Sequence, residues 1–243
     1  RDLHRVDRRQ RQMCIRDSYW TAKGHFNIME IASLITGPVG VNTYIVYGKN
    51  AGECIIIDPS DTELVNKKLD ELGAKPTAVL LTHGHFDHIV SVADLQKQYG
   101  ARVYIHEIDE AGLRDASVNL CAMAHIDIPP CNADVKLKGG ETIHEAGFDI
   151  RVLYTPGHTK GSVSYAIADG ERKAVFTGDC LFHGSIGRSD FPGGDHKELL
   201  DSIGNQLFTL DGDYEVYPGH MGATTLQFER EHNPFMRRWG KDK

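Results

Sequence analysis

The segment Thr82-His83-Gly84-His85-Phe86-Asp87-His88 places three imidazoles and a carboxylate within six positions. Neutral imidazole and carboxylate are the donors that zinc and comparable first-row metals prefer, so the segment reads as a metal site. It follows Thr77-Ala78-Val79-Leu80-Leu81, an apolar, β-rich run that reads as a buried strand, so the ligands leave a strand end. His83 and His85, two apart, point the same way in extended backbone, whereas the adjacent Asp87 and His88 diverge unless the chain turns. The simplest arrangement gives the first pair to one metal and the second pair to another.

A single histidine is ordinarily a surface or hydrogen-bonded core residue. Here three further segments repeat the context: Pro156-Gly157-His158, Thr177-Gly178-Asp179 and Pro218-Gly219-His220. Each sets a potential ligand in a glycine-containing turn after an apolar or aromatic stretch, namely Val152-Leu153-Tyr154, Ala174-Val175-Phe176 and residues 214–217. Strand, turn and ligand recur four times, which is how a rigid body delivers side chains to one edge.

On these motifs the chain resembles the metallo-β-lactamase fold superfamily, whose signature is H-x-H-x-D-H followed by a distant His, Asp and His in that order. The likeness runs from about Met29 to the C-terminus. It implies an αββα arrangement, with His83, His85 and His158 resembling the ligands of a first metal. Asp87, His88 and His220 then resemble those of a second, with Asp179 bridging. Two divalent ions are implied, zinc first by donor type, with iron and manganese accepting the same donors.

Within the superfamily the chain is similar to the short glyoxalase II-like (hydroxyacylglutathione hydrolase-like) enzymes. The shared stretches are Gly178-Asp179-Cys180-Leu181-Phe182, Gly184-Ser185-Ile186-Gly187-Arg188, Asp190-Phe191-Pro192-Gly193-Gly194-Asp195 and Asn233-Pro234-Phe235. Glyoxalase II hydrolyses S-acylglutathione thioesters. Its full-length members add a C-terminal helical region with basic glutathione-binding residues, which this chain does not match, so the thiol stays open. Persulfide dioxygenases share the fold and a Gly-Arg-x-Asp-Phe stretch but use one iron and oxygen. The presence of every second-metal ligand favours the two-metal hydrolase.

A metal pair lowers the pKa of a bridging water and polarises a carbonyl, so the expected chemistry is attack of a bridging hydroxide on an acyl carbonyl, a thioester foremost. One metal would stabilise the oxyanion, and Asp87 would orient the hydroxide. Asp58, after Ile55-Ile56-Ile57, is either a partner of a ligand histidine or a turn residue at the strand end. Cys180, beside Asp179, either lies near the metals or packs as a small core residue. Arg188 and Lys160, near ligand turns, either meet an anionic substrate or are ordinary surface charges.

The chain has 243 residues. Residues 1–18 read as a translated sequencing adapter and residues 1–28 as a non-native or disordered leader, since the first credible strand starts at Met29. Residues 29–243 suit a single domain with a sizeable core. The net charge of −7 includes the basic leader and argues against a nucleic-acid partner. Cys54, Cys121, Cys131 and Cys180 form no C-x-x-C pair, and neither a signal peptide nor a membrane-length apolar run is visible, so a cytoplasmic setting and a small-molecule acyl substrate are expected. Strands are expected near residues 31–34, 43–47, 54–58, 79–82 and 102–105, and through much of 134–176. Helices are expected from Ser60, with capping-box spacing to Glu63, and over 89–99, 197–207 and 224–231. That order suggests an α+β sandwich in four layers.

Overall fold

The computed structural model describes residues 28–37, 39–49, 52–237 and 239. The expected leader, apart from Ile28, lies outside the described residues. Six strands form a first sheet in chain order: β1 (Met29–Thr36), β2 (Val41–Gly48), β3 (Glu53–Ile57), β4 (Lys75–Leu80), β5 (Arg102–His106) and β6 (Val135–Leu137). β1 to β3 pair antiparallel and β3 to β6 parallel. Parallel neighbours require crossovers. These are α1 (Thr62–Leu72), then α2 (Phe86–Ile89) with α3 (Val92–Tyr99), then a segment holding a 3₁₀ turn and α4 (Cys121–Ala124).

The second half supplies β7 (Thr142–Glu145), β8 (Phe148–Tyr154), β9 (Val163–Asp169), β10 (Arg172–Gly178), a small hairpin of β11 (Leu181–Phe182) and β12 (Ser185–Ile186), then α5 (His196–Ser202), β13 (Glu215–Pro218), β14 (Thr224–Thr225) and α6 (Leu226–His232). The second six-stranded sheet runs β14-β13-β10-β9-β8-β7.

Alternation along the strands makes the layers. Ile55, Ile57, Ala78 and Leu80 meet Ile150, Val152, Tyr165 and Phe176 between the sheets. Ile56, Val79 and Leu81 face the other way, onto Val65 and Leu69 of α1 and Val92 and Leu95 of α3. On the far side Val175 and Val216 pack against Leu199, Ile203 and Leu226. The result is the four-layer αββα sandwich that the element order suggests.

Three local expectations are corrected. The helix after β3 is capped by Asp61, whose carboxylate accepts from Leu64 N at 2.9 Å, and not by Ser60. Ser60 Oγ is buried without a hydrogen-bond partner. The helix expected over 89–99 is broken between α2 and α3, because Ser91 N donates to Pro59 O at 3.1 Å instead of continuing the helical ladder. Thr224 and Thr225 pair with β13, so the last helix starts only at Leu226, with Thr225 as its cap.

Asp61→Ala should therefore cost about 1 kcal/mol, the usual loss for a helix cap. Ser60→Ala should cost clearly less, and paired urea titrations would separate the two.

Candidate metal centre

β8 and β10 are both antiparallel to β9, and β13 is parallel to β10, so these three strands end on one edge of the second sheet. β3 and β4, parallel to each other, end together in the first. The two edges are tied: Val163 N donates to Thr82 O and Asn42 N to Gly219 O, both at 2.8 Å, and the Tyr165 hydroxyl donates to Leu81 O at 2.7 Å. Every predicted ligand leaves one of these strand ends.

The structure gathers all seven. Donor atoms of His83, His85 and His158 lie within 4.8 Å of one another, as do those of Asp87, His88 and His220 and those of His83, His88 and Asp179. His158 Nε2 is 2.9 Å from His85 Nδ1. His220 Nε2 is 3.4 Å from Asp87 Oδ2. Asp179 stands between the two sets, with Oδ2 3.5 Å from His158 Nε2 and 3.7 Å from His220 Nε2, and Oδ1 3.4 Å from His88 Nε2. The early helix α2 turns Asp87 and His88 away from the first pair, which extended backbone could not do.

Asp58 fills both of the roles left open for it. It sits at the end of β3 with φ of 50°, the left-handed conformation that Asp tolerates better than most residues. From there its carboxylate accepts from Thr82 N at 2.8 Å, Thr82 Oγ1 at 2.6 Å and His88 Nδ1 at 2.9 Å. A carboxylate only accepts, so His88 carries its proton on Nδ1, and Nε2 is left for a metal or, without one, for a second proton. Thr82 gives its proton to Asp58, so its oxygen accepts from His83 Nδ1 at 3.1 Å, and His83 presents a bare Nε2. His158 Nδ1 donates to Arg188 O at 2.7 Å, with the same outcome.

The electrostatics suit a cation. Burial, then the neighbouring imidazoles of His88 and His85, holds His83 well below the ordinary imidazole range. Burial and then His158 bring His85 down to about 3. Burial also acts to lower His88, but the carboxylates of Asp87, Asp179 and Asp58 outweigh it and raise it well above its usual value. Asp179 resists the upward push of burial because His88 holds its pKa down. His83 Nε2, His88 Nε2 and Asp179 Oδ1 are buried with no hydrogen-bond partner. Such orphaned atoms are uncommon in native interiors, and three converging on one spot fit a metal. Gly219 keeps the spot open: a Cβ there would lie 2.4 Å from Asp179 Oδ1 and 2.7 Å from His88 Cε1.

The remaining candidates divide. Arg188 reaches the cleft above the donors but is exposed and bound to Asp190 through Nε and Nη2, each at 2.7 Å. Lys160 is exposed and lines a smaller depression beside His85. Of its two readings Cys180 takes core packing: its side chain lies in the outer core with Leu181, Leu199 and Leu226, and burial pushes its thiol up to about 12. Sequence reasoning missed Asp109, whose buried carboxylate accepts from Gly84 N at 3.1 Å, Thr159 Oγ1 at 2.6 Å and Gly161 N at 2.8 Å. It clamps the loop of His83 and His85 to the turn of His158. No local pattern marks it, because its partners are 25 to 52 positions away. It also missed Thr82, which the adjacency to His83 could have suggested.

Over residues 36–220 the sequence matches the Metallo-beta-lactamase superfamily. It is 37% identical over 202 residues, 82% of this chain and 94% of the relative, to the probable metallo-hydrolase YqgX of Bacillus subtilis. It is 34% identical over 195 residues, 77% and 88% of the two chains, to the hydroxyacylglutathione hydrolase GloC of Haemophilus influenzae. Among solved structures, the BLEG-1 B3 metallo-beta-lactamase superposes with a TM-score of 0.81 at 36% identity, covering 86% of this chain and 100% of that one. TTHA1623 in a di-iron-bound form gives 0.72 at 36% identity, with 84% and 99% covered. ETHE1 from Myxococcus xanthus gives 0.68 at 31% identity, with 85% and 84% covered. Sequence, fold and the convergence of seven donors agree: the chain belongs to the metallo-beta-lactamase superfamily, as one of its metal-dependent hydrolases.

Proposed function

We propose that this protein hydrolyses the acyl bond of a small molecule, a thioester foremost, with two divalent ions at the strand edge. The reading is carried by two groups of three donors with Asp179 between them, at the floor of one cleft of about 540 Å³. His83, His85 and His158 would hold the first ion, Asp87, His88 and His220 the second, and Asp179 would bridge. Zinc suits these donors, and the di-iron form of TTHA1623 makes iron the next candidate, with manganese accepting the same set. When bound, such a pair supplies a water activated at neutral pH and a Lewis acid for the acyl oxygen.

The chain does the rest. Asp58 and Thr82 hold His83 and His88 in the tautomer that presents Nε2, and the Arg188 carbonyl does so for His158. Burial acts to raise Asp87, but its neighbour His88 keeps the carboxylate ionised at the cleft floor, where it can orient the attacking water. No side-chain nucleophile is required, and the buried, weakly acidic Cys180 is not one. The likeness to GloC supports a thioester over other acyl bonds. The free Cys54, Cys121, Cys131 and Cys180 suit a reducing cytoplasm. Among the described residues no helix is long and apolar enough to cross a membrane.

The deciding experiment is a panel of S-lactoylglutathione, acyl-coenzyme A thioesters and simple lactones, run beside metal quantification. Two metals per chain with thioester turnover is the expected result; one iron per chain with oxygen uptake on a persulfide would overturn it in favour of the dioxygenase chemistry. His85→Ala should abolish turnover while leaving the circular dichroism spectrum unchanged. Asp58→Ala should weaken metal binding about 10- to 100-fold, measured by competition with a chromophoric chelator.

A further inference from the structure

We infer that the acyl group this enzyme accepts is apolar and uncharged, a fatty or aromatic acyl chain, and that a charged carrier such as glutathione adds nothing to its binding; this rests on the acyl-hydrolase reading above. Apolar side chains wall the cleft over the donor cluster, among them Leu120, Met123, Phe182, Ile186, Phe191 and Met221. Its volume of about 540 Å³ is that of a small-molecule site. Met123 and Met221 are 58% and 59% exposed, and Val39 at the same mouth is 51% exposed. Three large apolar side chains left in water around one opening are a cost to a monomer unless something apolar covers them. Methionine also adapts to the shape of what it meets.

The charges point the same way. Arg188 is the only lysine or arginine among the described residues lining the cleft. Its Nε and Nη2 pair with the two carboxylate oxygens of Asp190, and its Cζ lies 3.7 Å from the ring centre of Phe191. A substrate carboxylate would have to share a guanidinium whose charge Asp190 already offsets. Lys160 lines the neighbouring depression with Ile108 and Val118 instead.

One apolar wall is built to stay in place. Phe182 and Ile186 belong to the β11–β12 hairpin, whose turn is held from behind by the fully buried Glu229. That carboxylate accepts from Gly184 N at 3.1 Å, from Thr224 Oγ1 at 2.8 Å and from Asn233 Nδ2 at 2.8 Å. Asn233 Nδ2 also donates to Ser185 O at 3.0 Å. Asn233-Pro234-Phe235 thus supports the wall from outside the cleft, and a preformed wall binds a flexible chain without first having to be ordered.

The test is a series of N-acetylcysteamine thioesters from acetyl to octanoyl, assayed with the metal-loaded full chain. The expected result is a kcat/KM that rises roughly three- to fourfold per added methylene until the cleft is filled. Met123→Asp should flatten that rise, and S-lactoylglutathione should fall below the octanoyl thioester. A series that is flat or falls with chain length, or S-lactoylglutathione exceeding every neutral thioester, would overturn the inference while leaving the hydrolase reading intact. Loss of turnover on every thioester, S-lactoylglutathione included, would overturn both.

Discussion

One buried carboxylate, that of Asp58, sets the state of the metal-binding face. It is 2% exposed and satisfies three donors at once, two on Thr82 and one on His88. Its hydrogen bonds decide where two imidazoles carry their protons, one directly and one through the Thr82 hydroxyl. An imidazole with the proton on the wrong nitrogen offers a metal an N–H in place of a lone pair. The left-handed backbone at Asp58 is tolerable because the three hydrogen bonds hold it there, and because Asp accepts that region at small cost.

The same device recurs at the other loops. Strand ends carry N–H groups that no ladder satisfies, and an unpaired buried donor is costly. Asp109 answers this for the His83-to-His85 loop and the His158 turn, and Glu229 does so for the hairpin behind the cleft. Each acid is buried and each joins segments far apart in sequence. The pair of sheets is the packed body of the molecule, and these carboxylates tie to it the loops around the candidate metal centre. The seven donors then converge, and His83 Nε2, His88 Nε2 and Asp179 Oδ1 are left without a hydrogen-bond partner.

Much of the fold and site was legible in the chain. The β-rich runs before residues 82, 155, 177 and 218 are strands, and the side chains after them meet. Helix ends were less legible: Asp61 was passed over for Ser60, and the break at Ser91 depends on Pro59 O, which no local pattern places nearby. For Cys180 the chain left two readings open. Its adjacency to Asp179 allowed a place at the site, yet past Gly178, whose φ is 48°, the chain turns and Cys180 packs into the outer core.

By itself the sequence determined the kinds of donor, their order and the strand edge from which they leave, because ligand chemistry and period-2 burial are local properties of the chain. Only the tertiary structure decided which donor faces which, which tautomer each histidine adopts and what walls the cleft above them. His85 and His158 are 73 positions apart and Asn42 and Pro218 are 176, and such pairs meet only once sheet register and turn geometry are set. Hydrogen bonds and apolar contacts of that range are properties of the packed molecule, and it is they that gather a set of metal-preferring residues into one walled site.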